Sequence, residues 1–306
     1  MKKVLLLVCA GILLLASCKE NDPAIDFGRR AADSTYLLTG AELSGLTTDA
    51  HQALVEEFTG QSCANCPAGH ADLEAYAAAN PGRLNYIGLY EINGGSLTQP
   101  PPGAANDFED SAAYDIGKYV SGASVGSFPT AFIDRVPDVS DGILVSRGNW
   151  DGDITTRNAI SDSLNLSVSS TYAGSVATIT VKVTYTKAVM SAQALSVMLV
   201  EDSIIDYQTD NRTGHSLTDS SYLFTNVLRD KISADIGSTI LDTIAVKVPG
   251  RVFRRIYTYA LPTVLKGSHP AAINPAHCRV VAFVSIPGSG GNFEIMQSAQ
   301  APLMKP

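Results

Sequence analysis

Cys63 and Cys66 are the residues of this chain best suited to chemistry. They stand two residues apart in Gln61-Ser62-Cys63-Ala64-Asn65-Cys66-Pro67, where a short apolar run gives way to a helical pattern. At the start of a helix this spacing puts both sulfurs in the first turn, close enough to bond to each other. Unpaired backbone N–H groups and the positive end of the helix dipole favour a thiolate there. Three chemistries compete for such a pair. Zinc needs two further ligands, and His70, His277 and Cys278 offer no second compact pair. A purely structural disulfide across two residues removes little chain entropy and is a poor stabiliser. A redox-active disulfide is the favoured reading, with the other two kept open.

The elements around the pair read as strand, helix, strand. Residues 53–58 have the length and apolar content of a central strand, and Thr59-Gly60-Gln61-Ser62 is the turn that ends it. A helix is predicted over 64–79. Pro67 falls in its first turn, where the missing N–H costs little, and Asn80-Pro81-Gly82 stops it. Residues 84–91 are apolar on both faces, as in a buried parallel strand, so the three elements make a right-handed βαβ unit. Residues 94–103, with three consecutive prolines, read as an exposed loop. Asn106 is the predicted cap of a helix in which Phe108, Ala112, Ile116 and Tyr119 recur. Phe128-Pro129-Thr130 reads as a proline opening a strand, and residues 142–164 are expected to supply a closing helix.

The chain has 306 residues, enough for two domains, with a net charge of −8 and a hydrophobic fraction of 45%. That acidity argues against nucleic acid and against electrostatic attachment to anionic lipid. Lys2-Lys3, an apolar run too short to span a bilayer, and Leu15-Ala16-Ser17-Cys18 form an export leader. The small residues before Cys18 resemble a lipobox, which makes Cys18 the lipidated N-terminus of the mature protein. Residues 1–17 are then the signal peptide and 18–50 a polar tether. The acidic cluster behind Cys18 resembles a surface-export signal, so both the periplasmic face and the cell surface stay open. With Cys9 in the leader and Cys18 lipidated, Cys63 and Cys66 remain as a pair. Cys278 remains alone, read as a buried small hydrophobe at a strand start.

A Cys-x-x-Cys at a strand–helix junction, followed by Phe128-Pro129-Thr130 opening a strand, resembles the thioredoxin fold with its cis-proline loop over about residues 51–162. More closely, the segments from Glu56 to Pro67 and from Phe128 to Arg135, on a lipoprotein with a long C-terminal extension, resemble the Omp28-related outer membrane lipoproteins of Bacteroidota. The resemblance implies that Cys63 is the attacking thiol and Cys66 the resolving one. It implies that Pro129 is cis and packs beside the disulfide, with the backbone of Phe128 and the neighbouring Thr130 meeting an extended substrate. It also implies that Glu57 is a buried acid relaying a proton to Cys66; the alternative for Glu57 is a partly solvated strand carboxylate. Ser62 and Ala64-Asn65 depart from the tryptophan and Gly-Pro usual in thioredoxins, which leaves the reduction potential unreadable. No lysine or arginine lies near Cys63 in sequence, and His70 is read as packing or solvation.

From about Leu164 the period changes to two. Leu164, Leu166 and Val168, then Ala177, Ile179, Val181, Val183 and Tyr185, alternate with polar residues. Further strands are predicted at 194–201, 239–248, 253–261, 279–286 and 293–300, with a long polar loop over 206–236. Within that loop Tyr222, Phe224 and Arg229 are candidates for a contact face. The fold class expected is α/β plus all-β: a thioredoxin-like domain over 51–162 followed by an antiparallel β-sandwich over 163–306. The function expected is thiol–disulfide exchange with a partner protein at the outer membrane, anchored by lipid on Cys18 and needing no cofactor or metal. The alternative is a binding or adhesion subunit of an outer-membrane complex, its fold kept without turnover.

Overall fold

The computed structural model describes residues 29–214, 217–233, 237–262 and 273–305. The leader, the acidic run and Cys18 lie outside the described residues. The first half runs β1 (Arg29–Leu37), α1 (Gly40–Ser44), β2 (Ala53–Thr59), α2 (Cys66–Ala79), β3 (Leu84–Tyr90), α3 (Ser111–Ser121), β4 (Thr130–Ile133), β5 (Val145–Ser146) and α4 (Trp150–Asn158). Every residue of β2 and β3 is buried, and the two pair in parallel across the α2 crossover. β4 pairs antiparallel to β2 on its other side, with Phe58 opposite Thr130.

Strand alternation sorts these side chains into two layers. Leu54, Phe58, Ile87 and Leu89 meet Ala113, Ile116 and Val120 of α3. On the opposite face Ala53, Val55 and Tyr86 meet Leu73 and Tyr76 of α2 and Trp150 and Ile154 of α4. The cap of α3 is Asp110, whose carboxylate accepts from the Ala112 N–H, and Gly122 at φ 81° ends the helix. Asn106, the predicted cap, instead donates its backbone N–H and its amide to Asp206.

The second half runs β6 (Leu164–Ala173), β7 (Val176–Tyr185), β8 (Ala194–Glu201), β9 (Ile204–Thr209), β10 (Thr218–Phe224), β11 (Val227–Lys231), β12 (Ser238–Thr239), β13 (Arg251–Ala260), β14 (Cys278–Ser285) and β15 (Ile295–Met304). All but β9 and β10 join the first half in one mixed sheet, ordered β1-β13-β7-β6-β15-β14-β8-β11-β3-β2-β4-β5 with β12 on β8. The sheet runs past the boundary expected near residue 162. β8 and β14 explain why. Their Leu195, Val197, Leu199, Val280, Ala282 and Val284 fill a second hydrophobic core with residues of β6, β7 and β13. Their alternate residues Met198, Val200, Val281 and Phe283 pack in the α3 layer.

Several expectations need correction. The second half is not purely antiparallel, because β15 pairs with β6 in parallel. Residues 29–37, expected in a tether, form β1 and pair along their whole length with β13. The strand expected at 239–248 is reduced to β12 and a single bridge between Val189 and Lys247. The expected loop 206–236 contains β9, β10 and β11.

A buried charge cluster ties the two halves together. His51, before β2, bonds Asp134 through Nε2 at 2.7 Å and Asp162 through Nδ1 at 2.9 Å. Arg157 of α4 reaches the same Asp134, and Gln297 of β15 donates to Asp162. Asp134 and Arg135 take consecutive left-handed conformations, φ 48° and 54°, unusual for residues with side chains. The turn sends Asp134 to His51 and Arg135 to Glu56, whose two oxygens it meets at 2.7 Å each.

Candidate thiol site

β2 ends at Thr59 and α2 begins at Cys66, so the connecting turn carries both cysteines to the C-terminal edge of the parallel strands. Gly60 is required in that turn. A Cβ there would stand 2.2 Å from the Leu97 carbonyl oxygen, and the close approach lets Ser62 donate its N–H to Leu97 at 3.0 Å. The Ser62 hydroxyl donates to the Gln99 carbonyl, so the proline-rich loop is fastened to the turn. Pro67 sits in the first turn of α2, as expected.

Cys63 and Cys66 are joined as a disulfide, with Cα atoms 5.4 Å apart. The sulfurs therefore hold each other rather than a metal. Both half-cystines are buried, Cys63 with 2% and Cys66 with 0% of its surface exposed. The Phe128–Pro129 peptide bond is cis. Because Phe58 lies opposite Thr130, Pro129 stands at the same end of β2 as the cysteine turn. The Thr130 hydroxyl donates to the Val145 carbonyl and is buried. The Phe128 ring packs against the α3 layer.

Glu57 is 1% exposed, on the α2 face of β2, so it is not a solvated strand carboxylate. Gly69 makes room for it: a Cβ at that position would come 3.0 Å from both Glu57 Oε1 and the Trp150 ring. Burial, reinforced by the charges of Glu74 and Asp72, pushes the Glu57 carboxyl well above its ordinary range and so favours its protonated form. His70 Nε2 stands 3.5 Å from Glu57 Oε1 and 2.9 Å from the Thr59 hydroxyl, and its Nδ1 meets the Tyr222 hydroxyl at 2.7 Å. Burial and the nearby Arg212 cation lower His70 to about 4. An imidazole and a carboxyl group, each disfavoured as an ion by burial, thus lie side by side under the first turns of α2.

Sequence reasoning missed the hairpin that covers this site. β9 and β10 form a separate two-stranded sheet, and the chain at the end of β9, residues 208–211, lies on the cysteine turn. Gln208 donates its amide to the carbonyls of Gly60 and Cys63 at 3.2 and 3.1 Å. Thr209 N–H donates to Gln61 O and Asn211 N–H to Ala64 O. The Asn211 amide donates to Asn65 Oδ1 at 2.6 Å. The contact face proposed on this segment is not formed: Tyr222 and Phe224 pack inward on Tyr90 and Phe108, and Arg229 is buried beside Glu201 at 3.0 Å. Cys278 is a free, buried thiol whose pKa burial pushes up to about 12, as suits a packed residue at the start of β14.

HBP35 of Porphyromonas gingivalis is similar in structure, with a TM-score of 0.60 at 14% identity, over 84% of this chain and 77% of that one. A structural-genomics protein of Agrobacterium tumefaciens aligns over 84% of this chain and 96% of its own, at 16% identity and a TM-score of 0.44. No curated protein matches the sequence. The family description outer membrane protein Omp28 matches residues 118–301, which take in the cis-proline strand, the β9–β10 hairpin and most of the second-half strands. With more than half its length in that match, the chain belongs to the Omp28 outer membrane protein family.

Proposed function

We propose that this chain is a cell-envelope protein, held at the outer membrane by lipid on Cys18, whose thioredoxin-like unit over 51–162 exchanges thiols with a partner protein. The sandwich over 163–306 positions that partner. The observation that carries the reading is the Cys63–Cys66 disulfide at the junction of β2 and α2, with Pro129 opening β4 at the same sheet end. The helix terminus supplies the field that favours a thiolate on Cys63.

The exchange balances in either direction. From the disulfide state, a partner thiolate attacks Cys63 Sγ, and Cys66 leaves as a thiolate and takes a proton. A second partner thiol then closes the partner's own disulfide and releases Cys63, so two electrons pass to the pair. From the dithiol state the same steps run in reverse, and a dithiol donor must then recharge the pair. Glu57, buried on the α2 face, is the proposed store for the proton that Cys66 takes up. The backbone of Phe128, ahead of β4, is the proposed edge for an extended substrate; Thr130, expected to share that role, is buried and paired on both sides, with Phe58 and with Ser146.

The burial of both sulfurs favours a second reading, in which the fold serves a binding or adhesion subunit and the disulfide does not turn over. Trapping separates the two. A Cys66→Ala variant that turns over captures a partner as a mixed disulfide on Cys63, detected by mass spectrometry under non-reducing conditions. No adduct, together with no insulin reduction by the dithiol form, would sink the exchange reading. A partner that co-purifies equally with a Cys63→Ser, Cys66→Ser variant supports the binding reading.

A further inference from the structure

We propose that the β9–β10 hairpin is a gate on Cys63, with Gln208 and Asn211 the residues that decide which thiols reach the sulfur. The proposal rests on the exchange reading for its biological use, but the gate itself is a property of the disulfide's accessibility. Four carbonyls of the cysteine turn are involved, those of Gly60, Gln61, Cys63 and Ala64. Each accepts a hydrogen bond from the hairpin segment 208–211, through the Gln208 amide, the Thr209 N–H or the Asn211 N–H. While the hairpin is seated, these carbonyls are occupied, and segment 208–211 lies along the turn that carries Cys63.

The construction of the hairpin fits a unit that lifts at segment 208–211. It is not hydrogen-bonded into the main sheet. At its base the chain enters and leaves through Ser203 and Asn226, both left-handed at φ 59° and 60°. Asp202 accepts the Asn226 N–H and also pairs with Arg279, which in turn bonds the Asn226 side chain. The two ends are therefore pinned to each other and to β14. Away from that base the hairpin is held by Asp206 on residues 105–106, by the Tyr222 hydroxyl on His70, by Tyr222 and Phe224 on the aromatic cluster, and by the bonds to the cysteine turn. The Asn211 to Asn65 bond is on the exposed side, so opening can begin there without breaking the core.

The test is the rate at which dithiothreitol reduces the native disulfide in the intact chain, followed by alkylation and mass. One dithiothreitol thiolate attacks Cys63 Sγ, releasing the Cys66 thiolate. The second thiol then displaces Cys63 and leaves cyclic oxidised dithiothreitol, two electrons having moved to the pair. Q208A and the milder N211A remove side-chain bonds from the closed state, and the Q208A N211A double variant is expected to be reduced at least about tenfold faster than the parent. Hydrogen exchange at Thr209 and Asn211 is expected to accelerate in step. Two results would overturn the gate. One is unchanged reduction in a variant whose hairpin amides exchange freely. The other is amides that stay protected after the bonds are removed. If Q208A fails to fold, N211A and parent amide exchange before and after reduction take its place. Protection at Thr209 and Asn211 that tracks the sulfur's reactivity supports the gate, and protection independent of it overturns the gate. Faster reduction without any insulin-reducing activity would remove the exchange reading and leave the gate standing.

Discussion

His70, on the helix that carries the disulfide, and Tyr222, on the hairpin that covers it, meet through Nδ1 and the phenol hydroxyl at 2.7 Å. The bond spans two parts of the chain that share no strand pairing. Tyr222 also stacks against Phe224 and lies under the Arg212 guanidinium, so a Tyr222→Phe change keeps the ring and removes only the hydroxyl. The loss of one buried hydrogen bond is expected to cost about 1–2 kcal/mol in urea denaturation. His70 supplies a pH signature. Its folded value of about 4 lies below its unfolded 6.5, so the stability it contributes is complete above pH 6.5 and declines as pH falls toward 4. An NMR titration in which the His70 ring protonates near pH 6.5 in the folded chain would contradict this.

Glu57 gives the opposite slope. Its folded pKa is raised by burial, so the unfolded chain ionises first as pH climbs past the ordinary carboxylate value. Stability associated with Glu57 is present below that value and is lost at about 1.4 kcal/mol per pH unit above it, until the folded pKa is reached. Glu57→Gln removes the ionisation. The variant should match the parent near pH 4 and exceed it at pH 7–8 by more than 1 kcal/mol, as about 1.4 kcal/mol per pH unit implies. Equal urea midpoints for the two proteins at pH 8 would show that Glu57 is ionised in the folded state.

How far the sequence revealed this site depends on how local each part is. The cysteine turn was legible because strand, glycine, two cysteines and proline occur within a few residues and each has a local meaning. β8 was predicted at its observed bounds and β14 to within a residue, because strands buried on both faces read as continuous apolar runs. The hairpin was not legible, and β9 explains why. It turns Asp206 and Gln208 inward to the 105–106 loop and the cysteine turn, and it leaves Ile205 exposed beside Leu223. Its periodicity is that of a strand with the wrong face polar, so it reads as a loop. The inward polar residues satisfy backbone groups far away in sequence, N–H groups of residues 105–106 for Asp206 and carbonyls of the cysteine turn for Gln208, and hydrophobic patterning carries no trace of that. β1 was missed for a related reason: residues 30–37 are all exposed, with no buried apolar face to read, and the strand is held by pairing to β13, a partner more than 200 residues distant.

His51 is expected to set the alkaline limit of stability. It is fully buried between Asp134 and Asp162. Burial alone would lower its pKa, but the two carboxylates outweigh it and raise the ring to about 9 from an unfolded 6.5. The stabilisation is complete below pH 6.5 and is lost between pH 6.5 and about 9, on the order of 3 kcal/mol in all. His51→Gln should remove that alkaline decline and cost about 3–5 kcal/mol at pH 6, because it leaves Asp162 buried without its cation and Asp134 with Arg157 alone. Guanidinium denaturation of both proteins at pH 6 and pH 9 measures it. A parent curve flat across this range would mean that the ring is neutral.

Arg135 and Glu56 make the sharpest case for a pair whose halves depend on each other. The guanidinium donates Nε and Nη2 to the two Glu56 oxygens at 2.7 Å and lies over the Phe283 ring at 5.0 Å, with neither side chain reaching solvent. β2 supplies the acid and the left-handed turn after β4 supplies the base, so the pair fixes the end of β4 beside the strand that leads to the cysteines. Arg135→Met is expected to cost about 3–5 kcal/mol, since it strands an ionised carboxylate among Phe283 and the α3 layer. Glu56→Gln in the same chain should recover much of that loss, because the desolvation cost of the carboxylate goes with its charge. A double-mutant cycle in urea reads the coupling directly. Additive losses from the two changes would mean that Arg135 acts through its stacking on Phe283 alone, whereas recovery in the double variant assigns the effect to the charge pair.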